Sequence, residues 1–170
     1  LQMSTDLRWN ILQSLVALDK AGAEAIEAEL STDRTTNGER HAAYATALLP
    51  TADGKERTWH RLVTDDQLPN WLQRAMLQGF QHPAQTELTD RYAADYFAVV
   101  GAVWANRDSE QAQDFIQLGY PTYQVSTRIL ELTDAWLAEP GHPAALRRLV
   151  AEGRDGVLRA LRARARDAAA

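Results

Sequence analysis

The first candidates for chemistry are the four histidines, His41, His60, His82 and His142. A metalloprotease zinc site needs two histidines four residues apart on a helix, with a glutamate between them, in the pattern HExxH. None of the four has a histidine partner at that spacing. The sequence also lacks cysteine, which excludes disulfides, thiolate zinc sites and cysteine nucleophiles.

Other patterns that carry chemistry are absent from the sequence as well. It contains no GxSxG turn, no P-loop and no GxGxxG motif. The adjacent carboxylates Asp65 and Asp66 point to different sides of the backbone and indicate a solvated helix end. We therefore predict no catalytic residue, no metal ligand and no cofactor in this chain, and its substrate-binding residues stay unassigned.

His82 directly precedes Pro83, and this pair is typical of a helix start. A residue before proline avoids the α region, while proline favours the first helical position. We predict that His82 caps a helix and that Gln85 reaches back toward this cap. His142 and Pro143 repeat the arrangement, which favours a structural role for both histidines over a reaction centre.

The aromatic residues after His82 follow a helical rhythm. Tyr92 and Tyr96 are four residues apart, and Phe97 and Trp104 continue the same stripe. Such a stripe is usually a packed core, although a ligand cage is the alternative. Arg91 and Arg107 flank it, and we interpret both as surface or helix-end groups.

Helical patterns run through nearly the whole chain. Leu7, Ile11, Leu15 and Leu18 fall on one face of a first helix, and Gly22 is a plausible end for it. Strand signals are nearly absent. We predict an all-α fold of eight to ten helices joined by short turns, arranged as antiparallel pairs in a HEAT/ARM-like superhelical array, that is, an α-solenoid segment.

Length and charge narrow the function class. The 170 residues suit one domain spanning 1–170. The net charge is −5, but residues 147–170 carry seven arginines against three acids, or +4, which leaves −9 on the rest. This acidic body argues against nucleic-acid binding. No apolar run approaches the length of a membrane span, and we expect a cytoplasmic protein.

The last helix is predicted to be amphipathic. Arg159, Arg162 and Arg166 share one face, while Val157 and Leu161 lie on another. We interpret the arginines as a solvated face, with a partner surface or anion site as the alternative. At the other end, residues 1–3 resemble a cut point.

Four phrases in order carry a resemblance that covers roughly residues 7–167: LRWNILQSLVALDKAG, TTNGERHAAYATALLPTADGKERTWHRLV, LPNWLQRAMLQGFQHPAQTELTDRYAADYFAVVGAVWANR and PAALRRLVAEGRDGVLRALRARARD. Together they resemble the C-terminal helical domain of family M1 zinc aminopeptidases. The likeness is to the actinobacterial aminopeptidase N branch, which is related to the endoplasmic-reticulum aminopeptidase C-terminal domain.

The resemblance implies a larger multidomain parent that removes N-terminal residues from peptides. The zinc would lie in its upstream catalytic domain, which carries the HExxH string that this chain lacks. The present chain would be an inactive C-terminal part that caps the catalytic cavity and shapes peptide access. Its partners would be that catalytic domain and, through the cavity, peptide substrates.

Loss of upstream neighbours would leave Leu7, Trp9 and Ile11 partly exposed, a surface that favours self-association. A free-standing α-solenoid that binds a protein or peptide is the alternative function. A third possibility, a small enzyme or ligand-binding bundle, needs a convergent polar cluster in a pocket that the sequence does not show.

Overall fold

The structure, a computed structural model, describes residues 3–169. Residues 1 and 2, part of the predicted cut point, lie outside the described residues. Ten α-helices form within 3–169, and no strand does. This confirms the all-α class and the predicted number of helices, while the superhelical array stays a prediction. The helices are α1 (Thr5–Ala17), α2 (Ala23–Thr32), α3 (Thr36–Ala47), α4 (Ala52–Thr64), α5 (Asn70–Phe80), α6 (Thr86–Thr89), α7 (Tyr92–Asn106), α8 (Ser109–Gly119), α9 (Thr127–Ala138) and α10 (Ala144–Asp167), with a 3-10 turn at Pro83–Gln85.

The chain divides into two compact units, Leu1–Leu88 and Thr89–Ala170. That residues 1–170 form a single domain therefore remains a prediction. Among residues 3–169, no helix combines the length and the apolar character needed to cross a bilayer.

The first unit is built on the contact of α3 with α5, and α1, α2 and α4 pack around α3. Gly79 makes the central contact possible, because a Cβ there would lie 2.3 Å from the carbonyl oxygen of Tyr44. The two backbones therefore approach more closely than a larger side chain would permit. Leu48, Leu77 and Phe80 are buried close to this crossing.

Helix α1 begins at a serine cap and ends in a Schellman motif. The hydroxyl of Ser4 accepts a hydrogen bond from the Leu7 amide at 3.3 Å. At the other end, Asp19 adopts a φ of +57°, and the Lys20 amide donates to the Leu15 carbonyl at 2.8 Å. The prediction that Gly22 ends α1 is wrong, because Gly22 is the N-cap of α2 instead.

The second unit packs α7, α8, α9 and α10 around an aromatic cluster. The Tyr96 ring lies 5.1 Å from Phe97, 6.3 Å from Phe115 and 5.7 Å from Tyr120, measured between ring centroids. All four rings are buried. The Tyr96 hydroxyl donates to the carbonyl oxygen of Ile116 at 2.8 Å. These contacts confirm the core-packing interpretation for Tyr96 and Phe97. Tyr92 is buried as well, whereas Trp104 is only half-buried.

After Pro143, the apolar residues Leu146 and Val150 and then Val157 and Leu161 predict a pair of helices, and this prediction is wrong. Residues Ala144–Asp167 form one continuous helix, α10. Gly153 does not break it, and a Cβ there would lie 2.7 Å from the Tyr120 ring. The glycine therefore lets α10 pack directly on that ring, and the resulting contact offsets the low helix propensity of glycine.

Candidate functional site

The structure confirms that His82 is a capping residue. Its Nδ1 accepts a hydrogen bond from the Ala84 amide at 3.3 Å, at the start of the 3-10 turn. Burial, and secondly the charge of Lys55, lower the pKa of His82. The predicted role of Gln85 is wrong, because its Nε2 donates to the Leu48 carbonyl at 2.9 Å and so ties the turn to the end of α3.

His142 does not repeat this arrangement. Pro143 occupies the N-cap position of α10, and no side chain caps that helix. The His142 ring instead stacks on Trp136, with 3.7 Å between centroids and 12° between planes. Its Nε2 lies 3.5 Å from a carboxylate oxygen of Glu139. His142 therefore closes the α9–α10 turn by stacking instead of capping.

His41 belongs to a polar cluster that holds α1 on α3. Its ring stacks on Trp9 at 5.6 Å and lies 3.0 Å from the Gln13 amide nitrogen. The Trp9 indole donates to Asp33 at 2.9 Å. Hydrogen bonds from Thr35 and then Trp9 hold the pKa of Asp33 below its ordinary value. Trp9 is fully buried, so the prediction of its partial exposure is wrong. The hydrogen bond to Asp33 satisfies the indole N–H inside the unit, which permits this burial.

Two surface clefts lie beside histidines in the first unit. The cleft at His41 is about 210 Å³ and is lined by Gln13, Arg40, Tyr44, Ala75 and Gln78. The cleft at His60 is about 320 Å³ and is lined by Asp53, Glu56 and Arg57. Within residues 3–169, no group of three histidine or acidic side chains is arranged to hold a metal ion.

Lys55 has properties typical of a functional residue, although the sequence patterns did not identify it. It is wholly buried in α4, and burial lowers its pKa to about 8. Its Nζ donates to the carbonyl oxygens of Ala47 at 2.7 Å and Phe80 at 3.3 Å. A lysine with a lowered pKa is a candidate nucleophile, but the Lys55 ammonium is inaccessible to solvent. It donates hydrogen bonds to the carbonyls of the last residues of α3 and α5 and therefore links the ends of these two helices.

The remaining charged candidates lie at helix ends or on the surface. The Arg91 guanidinium lies 4.9 Å from the Tyr92 ring centroid, and that of Arg107 lies 5.4 Å from Phe115. Both flank α7, as predicted. Asp65 follows α4 and accepts a hydrogen bond from the Gln67 amide at 3.1 Å, which confirms a helix end. Arg159, Arg162 and Arg166 are exposed on α10, as expected of a solvated face.

The most distinctive surface is apolar. Leu7, Ile11, Leu15 and Leu18 form a line along α1, here named the α1 stripe, and are 48, 44, 39 and 68% exposed. This confirms the expected exposure of Leu7 and Ile11. The helix buries its opposite side, with Trp9 and Val16 fully covered.

A family model described as the ERAP1-like C-terminal domain matches residues 1–159. The chain belongs to this family. Aminopeptidase N from Streptomyces lividans is 47% identical over all 170 residues. The chain spans 20% of the length of that relative, and it corresponds to the C-terminal part.

Proposed function

We propose that this chain is the non-catalytic C-terminal domain of a longer zinc aminopeptidase that removes N-terminal residues from peptides. In this role it covers the catalytic cavity and limits which peptides enter. The observation that carries the proposal is the family match over residues 1–159, in a chain that spans a fifth of an aminopeptidase N. The zinc, its ligands and the catalytic base would then belong to the upstream domain.

The chain's own contribution is architectural. Its helices are held by buried links such as Lys55 and by the aromatic cluster of the second unit. Rigid helical walls over a cavity exclude water and restrict the volume open to a bound peptide. We expect such walls to act on long peptides more than on small amides, because only a long peptide extends far from the cleaved bond. A cytoplasmic location belongs to this proposal as well.

The first experiment compares the isolated chain with the full-length protein that its gene encodes. We would purify both and measure the zinc content and the release of amino acids from an aminoacyl p-nitroanilide. The longer protein is expected to hold zinc and to be active. The isolated chain is expected to bind no stoichiometric zinc and to show no turnover. Turnover by the isolated chain that survives chelation and repurification would contradict the proposal.

The second experiment tests the covering role in the longer protein. Hydrogen exchange would be measured for the peptides that derive from residues 3–169. The measurement would be made on two complexes of the longer protein, one saturated with a non-hydrolysable long peptide and one saturated with a single amino-acid analogue. The proposal expects slower exchange in this region with the long peptide alone. Identical exchange in the two complexes would contradict a role in peptide access and would leave the family assignment intact.

The free-standing α-solenoid is the alternative function. It requires polar capping helices at both ends, since a solenoid without them exposes its core. The exposed α1 stripe disagrees with that requirement at the first helix.

A further inference from the structure

The cleft beside His41, here named the His41 cleft, differs from two other clefts of the first unit in the charge of its walls. Residues 1–88 carry twelve acids against eight bases, and the cleft at His60 is lined by two of those acids. A third cleft, beside Leu30, is lined by two more. The described lining of the His41 cleft holds a guanidinium, an imidazole, two side-chain amides and a phenol, but no carboxylate. An anion therefore meets less repulsion there than in the other two clefts.

Packing and one hydrogen bond fix the imidazole of His41. The ring stacks on the fully buried Trp9, with 14° between the planes, and its side chain is only 18% exposed. The Gln13 amide nitrogen lies 3.0 Å from Nδ1 and also donates to the His41 carbonyl at 3.4 Å. Because an amide nitrogen only donates, Nδ1 is the acceptor, and the proton of the neutral ring lies on Nε2. Nε2 is therefore a donor in both protonation states of the ring.

This Nε2–H group has no acceptor within hydrogen-bond distance among residues 3–169. The carboxylate oxygen Oδ1 of Asp6 lies 3.9 Å from Nε2, which is too far for a hydrogen bond, and the Asp6 side chain is 74% exposed. A mostly buried donor needs a partner. An acceptor from solution therefore satisfies His41 without displacing any hydrogen bond within the protein.

Arg40 supplies the permanent positive charge of the His41 cleft. Its Nη2 donates to the side-chain oxygen of Asn37 at 2.6 Å, which is a neutral partner. Within the described part of the chain, no carboxylate lies at salt-bridge distance from this guanidinium. Guanidinium N–H groups form a planar fork that matches the oxygens of a phosphate. Gln78 lines the same cleft from α5, so that donors reach it from two helices.

We propose that the His41 cleft binds the phosphate group of a small anion. Its volume of about 210 Å³ is below the roughly 300–1,000 Å³ of pockets for drug-sized ligands, which suits a single anionic group. A phosphate group carries about −1.5 to −2 charges and three acceptor oxygens, whereas a carboxylate has a single charge and one oxygen fewer. The donors of Arg40, His41 and Gln78 therefore match a phosphate better. The site lies wholly within the first unit and does not depend on the proposed aminopeptidase function.

Inorganic phosphate is the probe for the test. It would be titrated into the 170-residue chain at constant ionic strength, and binding would be followed by NMR through the ring signals of the four histidines. We expect the His41 signals to move until they saturate, while the signals of the other three histidines stay in place. Arg40→Gln should weaken binding roughly tenfold, because it removes the charged fork. Asp6→Asn should strengthen binding about threefold, since it removes a carboxylate that repels the anion.

Arg57→Gln is the matched control, because Arg57 is an exposed arginine beside the acids of the His60 cleft. It should leave phosphate binding unchanged. Equal weakening by Arg57→Gln and Arg40→Gln would mean that phosphate responds only to the overall charge, and would overturn the proposal. Two further results would also overturn it. One is a titration in which the His41 signals do not move. The other is acetate that binds as tightly as phosphate, which would assign the cleft to a carboxylate.

Thermal unfolding gives an independent readout. A ligand that binds only the folded chain raises its Tm, so phosphate at about a hundred times its Kd should raise the Tm by several degrees more than chloride at equal ionic strength. The Arg40→Gln chain should lose this difference, and an equal rise in both chains would contradict the proposal. Methyl phosphate then identifies the source of the group. If it binds as tightly as inorganic phosphate, the site takes a phosphate monoester, and if it is rejected, the site takes the free ion. Both results agree with the proposal.

Discussion

At the scale of single residues, Lys55 shows how a buried charge is accommodated. Burial without partners would cost several kcal/mol. Here the ammonium meets two main-chain carbonyls at the ends of α3 and α5, where the helix dipoles place partial negative charge. The Phe80 ring adds a further contact at 5.5 Å. One side chain thereby joins the ends of the two helices that form the centre of the first unit.

The lowered pKa of Lys55 predicts that stability rises with pH. Burial lowers the pKa from 10.5 to about 8, so the unfolded chain binds more protons than the folded chain between these values. The free energy of unfolding should therefore increase by ~2 kcal/mol between about pH 7 and about pH 9.5. Burial raises the pKa of Tyr96 and Tyr120. At higher pH the folded chain therefore binds more protons than the unfolded chain at these two tyrosines, and the free energy of unfolding falls again.

Urea unfolding followed by circular dichroism at a series of pH values measures this effect. The matched control is Lys55→Met, which keeps the length of the side chain and removes the titrating group. The control should lack the increase. An identical pH slope in both proteins would contradict a lowered pKa for Lys55.

Asp19 is strained by its left-handed backbone. Only glycine adopts a φ of +57° without a steric penalty from Cβ. Asp19→Gly should therefore raise the free energy of unfolding by roughly 0.5–1 kcal/mol, since the Schellman hydrogen bonds of α1 are kept. Chemical denaturation of the two proteins checks this, with Asp19→Ala as the control that retains a Cβ. A glycine variant no more stable than the alanine variant would contradict the role of backbone strain.

Local sequence rules predicted some single residues well and missed others. The capping role of His82 followed from its position before Pro83. The same dipeptide at His142 gave a different result, because Trp136 lies near enough to stack with the imidazole. No sequence pattern indicated the burial of Lys55, because its partners are main-chain carbonyls 8 and 25 residues away. Contacts of that kind depend on tertiary packing, which local patterns do not encode.

At the scale of helices, α10 contains two glycines that should respond in opposite ways. A Cβ at Gly153 would meet the Tyr120 ring at 2.7 Å, whereas a Cβ at Gly156 has nothing within 4 Å. Gly153→Ala should destabilise the chain by about 1–3 kcal/mol through overpacking. Gly156→Ala should stabilise it by roughly 0.5–1 kcal/mol through helix propensity.

Thermal unfolding of the two variants beside the parent chain measures these effects, and each variant is the control for the other. The two substitutions lie one helical turn apart and add the same methyl group. Shifts of the same sign would contradict the close packing of α10 on Tyr120.

Helix boundaries were more predictable than helix faces. Asp108 directly precedes Ser109, a pattern that predicts an N-cap, and its Oδ1 accepts from the Glu110 and Gln111 amides, both at 3.0 Å. The face of α1 was harder to assign, because the helix is apolar on two sides. Its Leu7–Leu18 line has the regular apolar spacing of a core face, yet Trp9 and Val16 are the residues that the unit buries. Periodicity identifies an apolar side but not which neighbour covers it.

At the scale of the whole molecule, the ordered phrases of the sequence carried the family assignment, and the match over residues 1–159 confirms it. No short motif would have sufficed, because the features that distinguish this chain are an all-α fold and a set of packing contacts. Fold alone does not define a function. The proposed covering role depends on the claim that this chain works as the C-terminal part of a longer aminopeptidase.

The most direct test of that claim is the mass of the native gene product. Source cells would be probed by immunoblot with an antibody raised against this chain. The account predicts a band several-fold heavier than 19.0 kDa, about five times as heavy if the protein matches the length of its Streptomyces relative. A band near 19.0 kDa would contradict it and would make a free-standing helical binding module the working function.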